Sequence, residues 1–155
     1  MTHARPSFRR QSGFTIMELM IAVAIMGVLF GIALPSYKDY VRRGTLPEGL
    51  SALSDYKIKM EQYYQDNRNY GSSDACANAA PAPDWATFAP ANKKFFSYEC
   101  ALSDGGQGYA ITATGASGSA AAGHVYVQTH KGQRTTQFKG ESVTRECWLM
   151  KGDEC

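Results

Sequence analysis

The chain has 155 residues, with 16 Lys+Arg against 14 Asp+Glu, 44% apolar and 19% charged residues. Those proportions describe one ordinary domain with a tail and exclude wholesale disorder, and a net charge of +2 excludes a bulk-basic nucleic-acid binder. The excess charge sits in residues 1–13, where Arg5, Arg9 and Arg10 stand without an acid.

From Phe14 to Leu34 the one ionisable side chain is Glu18, and from Leu19 to Leu34 there is no polar side chain at all. At about 1.5 Å per helical residue, roughly 20 such residues cross a hydrocarbon core near 30 Å thick. Arginines ahead of the run hold residues 1–13 in the cytoplasm by the positive-inside rule, so everything after Leu34 is expected on the far side of the membrane. A secretory signal cleaved at Gly31-Ile32-Ala33 is a poorer reading, because the apolar run is long for that purpose and contains a carboxylate. A twin-arginine address from Arg9-Arg10 is weaker still. A plain single-span anchor accounts for the run but not for Glu18, whose charge costs on the order of 2.5 to 3.5 kcal/mol at the bilayer centre and less near an interface. In the first turn of a helix that carboxylate faces the positive end of the macrodipole, and a nearby ammonium in low dielectric would offset its cost.

After Pro35 the helical period continues but becomes amphipathic: Leu46, Leu50, Leu53, Tyr56, Met60 and Tyr63 recur at steps of three and four, with Lys57, Lys59 and Glu61 off that face. This stripe reads as core packing. Pro35 and Pro47 predict bends, and Thr45-Leu46-Pro47-Glu48 fits a capping box at which the helix could restart. The pattern ends in the turn-prone Gln65 to Gly71. From Gly71 to Asn92 a loop rich in Ala, Pro, Ser, Asp and Asn is expected, pinned by Trp85 and Phe88. Strands are expected at Phe95 to Cys100, Tyr109 to Thr114 and His124 to Thr129, with a polar edge candidate at Gln133 to Phe138. Alternation places Tyr109, Ile111 and Ala113 on one face, and likewise Val125 and Val127, as suits an antiparallel sheet packed on the helix.

Four Cys in an exported domain favour disulfides, and no C-x-x-C spacing is present. Of the three connectivities, Cys76–Cys100 and Cys147–Cys155 are preferred because both close contiguous segments; loop entropy gives them roughly 3.5 and 2.6 kcal/mol. Gly152 permits a turn inside the second loop, and Trp148 and Leu149 can anchor one side of it in the core. No catalytic constellation, cofactor or metal site is expected: His124 and His130 read as exposed sheet or turn residues, and Asp104-Gly105-Gly106 reads as a turn that lacks the spaced oxygens of a calcium loop. Lys93, Lys94, Lys131, Arg134, Lys139, Arg145 and Lys151 could form a basic face near Trp148, but scattered solvated cations are the simpler reading of a neutral domain.

Gly13-Phe14-Thr15-Ile16-Met17-Glu18-Leu19, continuing through the apolar run to Ala33-Leu34-Pro35-Ser36-Tyr37, resembles the N-terminus of the type IV pilins. The resemblance is specific, combining a short basic leader, a Gly-Phe junction, a Glu five residues into the mature chain and an apolar helix. It implies cleavage between Gly13 and Phe14 by a prepilin peptidase, N-methylation of the new Phe14 amine, and pairing of Glu18 with the Phe14 amine of a neighbouring subunit. Lys59-Met60-Glu61-Gln62-Tyr63-Tyr64-Gln65-Asp66-Asn67-Arg68-Asn69-Tyr70, followed by Cys76 and by the terminal Cys147-Trp148 and Cys155, is similar to PilE-like minor pilins.

The implied architecture is α+β, a long N-terminal helix packed on a small antiparallel sheet with a disulfide-closed C-terminal segment. Its expected divisions are a leader at 1–13, a membrane-spanning and assembly helix at 14–34, an amphipathic half at 35–70, a connecting loop at 71–94, and the sheet and C-terminal region at 95–155. The implied function is structural and not enzymatic: a minor pilus subunit that polymerises through its helix, with roles in adhesion, twitching motility or DNA uptake. Implied partners are other pilin subunits, the prepilin peptidase, the inner-membrane assembly machinery and the inner membrane itself, before export into an extracellular pilus. A DNA-binding uptake pilin and a pseudopilin of a type II secretion system are the alternatives. DNA is not the favoured partner, because the residues from Pro35 onward carry 13 basic and 13 acidic side chains.

Overall fold

A computed structural model describes residues 13–151 and 155; the leader arginines and Gly152 lie outside the described residues. The described residues fall into two compact units, divided between Tyr37 and Lys38. Helix α1, Ile16–Asn67, is continuous through both prolines, although Pro35 and Pro47 each deny a backbone donor to the carbonyl four residues earlier. In the first unit the side chains of Phe14, Ile16, Met17 and Leu19 through Leu34 stand largely exposed, an apolar surface suited to lipid or to neighbouring helices.

The second unit contains the core. Leu46, Leu53, Tyr56, Met60 and Tyr63 are buried along one face of α1, with Leu50 half-buried beside them. After the helix come a two-residue hairpin, β1 (Gly71–Ser72) and β2 (Ala75–Cys76), and a short 3-10 turn at Asp84–Thr87. The main sheet follows as an antiparallel meander of β3 (Phe96–Ser103), β4 (Gly108–Gly115), β5 (Val125–Thr129), β6 (Arg134–Gln137) and β7 (Thr144–Arg145). Asp104–Gly106 forms the tight connection of β3 to β4, with Gly105 and Gly106 at positive φ, as a backbone without Cβ permits.

Phe96 and Tyr98 of β3 and Tyr109, Ile111 and Ala113 of β4 face the helix. Close approach is possible because position 49 is glycine: a Cβ there would lie 3.1 Å from the Phe96 ring. The face expected of β5 is corrected by the register. Ile111 pairs with Gln128 and Ala113 with Tyr126, so Tyr126 and Gln128 are the buried pair while Val125 and Val127 lie on the other face, half-exposed. Apolar residues occupy both faces of this strand, so alternation of valines alone did not identify the inner one. The capping box expected at Thr45–Glu48 also does not form, because both residues are inside α1; the Thr45 hydroxyl donates to Arg42 O at 2.7 Å instead.

Candidate functional site

The first candidate region is the N-terminal turn of α1. Thr15 precedes the helix and its Oγ1 accepts the Glu18 N–H at 3.2 Å, while Thr15 O accepts the Leu19 N–H at 3.1 Å. Thr15-Ile16-Met17-Glu18 is thus the capping sequence that is used. The sequence reading placed its capping box at Thr45–Glu48 and missed this one, although the Thr-x-x-Glu spacing at Thr15–Glu18 is the same signal. The cap fixes Glu18 in the first turn, beside the backbone N–H groups that carry the positive end of the helix dipole. Gly13 and Phe14 lie just before the cap in non-helical backbone, Phe14 exposed.

The second region is the polar lattice that ties α1 to the sheet. One oxygen of Glu48, Oε1, accepts the backbone N–H groups of Lys94, Phe95 and Phe96 at 3.0, 2.9 and 3.2 Å. The Tyr98 hydroxyl donates to the backbone carbonyl of the same residue, Glu48 O, at 3.3 Å. Glu61 accepts the Tyr70 hydroxyl at 3.1 Å and the Tyr109 hydroxyl at 3.3 Å. Burial first, and then Glu61, push the Tyr70 phenol up to about 12 and raise Tyr109 as well, so both stay protonated and keep donating. These contacts join residues far apart in the chain, and no local pattern announced them.

Beside Glu61 a groove of about 460 Å³ runs between α1 and the β5–β6 end of the sheet, lined by Lys57, Gln62, Gln65, Gln128 and Arg134 among others. The Arg134 guanidinium lies over the Trp148 ring at 4.4 Å from its centroid, and its Nε donates to Gln128 Oε1 at 3.3 Å. Trp148 is itself fixed by its indole N–H, which donates to Val127 O at 3.1 Å. Of the cations considered for a basic face near Trp148, Arg134 reaches it; Lys139 lies instead beside Phe138, 5.5 Å from the ring centroid.

His124 corrects the expectation of an exposed histidine: it is 1% exposed, edge-on to Phe138 at 4.7 Å. Its Nδ1 lies 3.1 Å from Ala121 O and 3.3 Å from Ala122 O, which places the proton on Nδ1 and leaves Nε2 buried without a partner among the described residues. Burial lowers its pKa from the ordinary value despite those carbonyls, and the Arg42 and Lys139 charges act in the same direction. His130 is half-exposed, and its Nδ1 accepts the Tyr109 N–H at 3.3 Å.

The four Cys are joined as Cys76–Cys100, which fastens β2 to β3, and Cys147–Cys155, which closes the C-terminal segment. That segment is held on the sheet by Tyr126, whose hydroxyl donates to Leu149 O at 2.6 Å, and by Thr136, whose Oγ1 accepts the Leu149 N–H at 3.1 Å. Among the described residues there is no group of three or more His, Cys, Asp or Glu placed to hold a metal ion.

Residues 35–123 match a family model described as type IV minor pilin ComP, DNA uptake sequence receptor, and residues 8–34 match the prokaryotic N-terminal methylation motif. Among individual relatives, the fimbrial protein EcpC of Eikenella corrodens is 41% identical over 70 residues, covering 45% of this chain and 46% of the relative. A fimbrial protein of Dichelobacter nodosus is 36% identical over 105 residues, covering 68% and 60% respectively. The type IV major pilin protein PilE1 of Neisseria gonorrhoeae is 36% identical over 74 residues, covering 48% and 35%. The matched segments thus span from about a third to three fifths of these curated relatives. A solved type IV pilin from Shewanella oneidensis aligns with a TM-score of 0.44 at 17% identity, over 60% of this chain and 89% of that one.

Proposed function

The chain belongs to the type IV pilin family, and from that premise we propose that it is a minor pilin that serves as a DNA receptor of the pilus. The family is one of structural filament subunits and not of enzymes, and it brings N-terminal processing and assembly with other pilins. The observation that carries the finer reading is the match of residues 35–123, which hold the second unit's part of α1 and the first two strands of its five-stranded sheet, to the minor pilin described as a DNA uptake sequence receptor. The balance of 13 basic and 13 acidic residues after Leu34 argues against strong overall attraction to DNA; the match supports the DNA reading, in which the binding charge is local.

In this reading the prepilin peptidase cuts between Gly13 and Phe14, Phe14 becomes the methylated terminus, and Glu18 meets the Phe14 amine of a neighbouring subunit. The cap at Thr15 supports that role, because it holds the carboxylate within one turn of the new terminus. The apolar helix anchors the chain in the inner membrane until assembly moves it into the filament.

The test is uptake of labelled DNA by cells from which the gene has been deleted and then restored. Uptake falling at least tenfold while filaments persist supports the receptor reading. Loss of all filaments would instead identify the principal shaft subunit, a second reading favoured by the identity to a major pilin. Unchanged uptake with filaments intact refutes the receptor role.

A further inference from the structure

A domain with no net charge binds a polyanion only where its cations gather without their counter-ions. Among the described residues, Lys59 is paired with Asp55 at 2.7 Å and Arg42 with Asp39 at 2.7 Å. Lys57 and Arg134 have no such partner among those residues, and both line the groove between α1 and the β5–β6 end of the sheet. Lys131 adds a third cation at its rim: it is exposed and adjoins Gly132, whose missing Cβ would lie 3.5 Å from Lys57 Nζ.

The acid that shares the groove, Glu61, is already engaged by two tyrosine hydroxyls at 3.1 and 3.3 Å. Glu146 shares a second cavity with Arg134, lined also by Val127 and Thr135, and is not within ion-pair distance of it. Of the remaining polar lining, Gln62 and Gln65 are exposed, neutral groups that donate to phosphate and sugar oxygens without adding charge, whereas the Ser54 hydroxyl is taken up by Leu50 O and the buried Gln128 amide by Thr129 O.

Arg134 is prepared for such a contact. Its guanidinium lies over the Trp148 ring at 4.4 Å from the centroid and its Nε is held by Gln128, which is fully buried. That arrangement restricts the side chain and leaves the two terminal NH₂ groups to point away from the Nε anchor, the fork geometry that recognises a phosphate in bidentate fashion. Lys57 supplies a point charge from the helix side.

We infer that this groove is a phosphodiester-binding site, in which Arg134 and Lys57 grip the DNA backbone and Lys131 extends the contact along it. The assignment rests on the DNA-receptor reading and adds to it the place of contact and its chemistry. Backbone phosphates are recognised there, so the contribution is independent of base sequence.

The experiment titrates the full chain, held in detergent micelles, against a short labelled DNA duplex at several salt concentrations. Wild type is compared with Lys57→Gln, Arg134→Gln and the double variant, and with Lys93→Gln/Lys94→Gln as a control away from the groove. The expected result for the double variant is a loss of affinity on the order of tenfold or more, with the slope of log K against log salt reduced by about 1.8, or 0.9 for each phosphate contact. The control should keep the wild-type affinity to within about twofold. Lys57→Gln alone, on a half-exposed helical position, keeps the test valid if Arg134→Gln unsettles Trp148. It should lower the slope by about 0.9 with an unchanged denaturation midpoint. Wild type that binds while the groove variants keep its affinity and slope overturns the groove but leaves the receptor reading intact. Wild type that fails to bind at low salt overturns both.

Discussion

Glu48 is the side chain whose removal should most clearly separate helix from sheet. One carboxylate oxygen accepts three successive backbone N–H groups, those of Lys94, Phe95 and Phe96, at the point where the loop enters β3. Glu48→Ala leaves all three donors unmatched. Lys94 is exposed and its N–H rehydrates, whereas Phe95 and Phe96 are half-buried and buried. An unsatisfied donor of that kind costs about 1 to 3 kcal/mol, and a bond to a charged acceptor contributes about 1.5 to 3. Because three donors share one oxygen, these contributions do not add in full, and the expected loss is about 2 to 4 kcal/mol. Glu48→Gln keeps the acceptor and loses only its charge, so about half of that loss is expected. The assay is denaturant unfolding of the detergent-solubilised chain, together with amide exchange at Phe95 and Phe96. Both amides should lose protection in Glu48→Ala before the rest of β3 does. A Glu48→Ala midpoint within about 0.5 kcal/mol of wild type, the range of an ordinary surface substitution, with unchanged protection of those amides, would refute the reasoning.

The remaining predictions concern other contacts. The folded state holds His124 neutral below the ordinary pKa of 6.5, so the unfolded chain binds a proton that the folded one resists; stability should be full above about pH 6.5 and fall as the pH drops below it. His124→Phe should flatten that dependence between pH 7.5 and 5, and an identical slope in the variant would exclude His124 as its source. Cys147→Ser opens the loop closed by Cys155 and should cost about 2.6 kcal/mol on the loop-entropy model, loosening the end while leaving N-terminal cleavage and membrane insertion intact. Non-reducing peptide mapping checks the bridge, and a Cys147–Cys76 or Cys147–Cys100 peptide would discard it. Glu18→Ala should insert into the membrane at least as well as wild type, because it removes a charge from the apolar run, yet be scarce in sheared filaments. Normal abundance there would leave Glu18 without a role in assembly.

Periodicity made the helix legible: the step of three and four from Leu46 to Tyr63 is the face that packs, because a local spacing needs only the helix to interpret it. The β4 face was equally plain, since Tyr109, Ile111 and Ala113 alternate with smaller or polar residues. β5 was not, because Tyr126 and the valines compete for the interior and only the pairing with β4 decides between them. Gln128 is a polar residue at full burial, admitted because its amide donates to Thr129 O at 3.1 Å and its oxygen accepts Arg134 Nε. Two Thr-x-x-Glu sequences are present, Thr15–Glu18 and Thr45–Glu48. The first caps the helix, while the second is drawn into the helix interior and its Glu serves amides 46 to 48 residues away. The groove was missed for the same reason: the sequence places Arg134 in a possible basic face near Trp148 but gives no sign that Lys57, on the helix, is brought beside it by the helix–sheet packing.

The most direct test of the account is the N-terminal peptide of this chain recovered from sheared, purified filaments and measured by mass spectrometry. The expected result is a filament-borne chain that begins at Phe14, heavier by one methyl group on its amine. A chain absent from the filaments, or one that begins at Leu34 after the small residues Gly31-Ile32-Ala33, would contradict it.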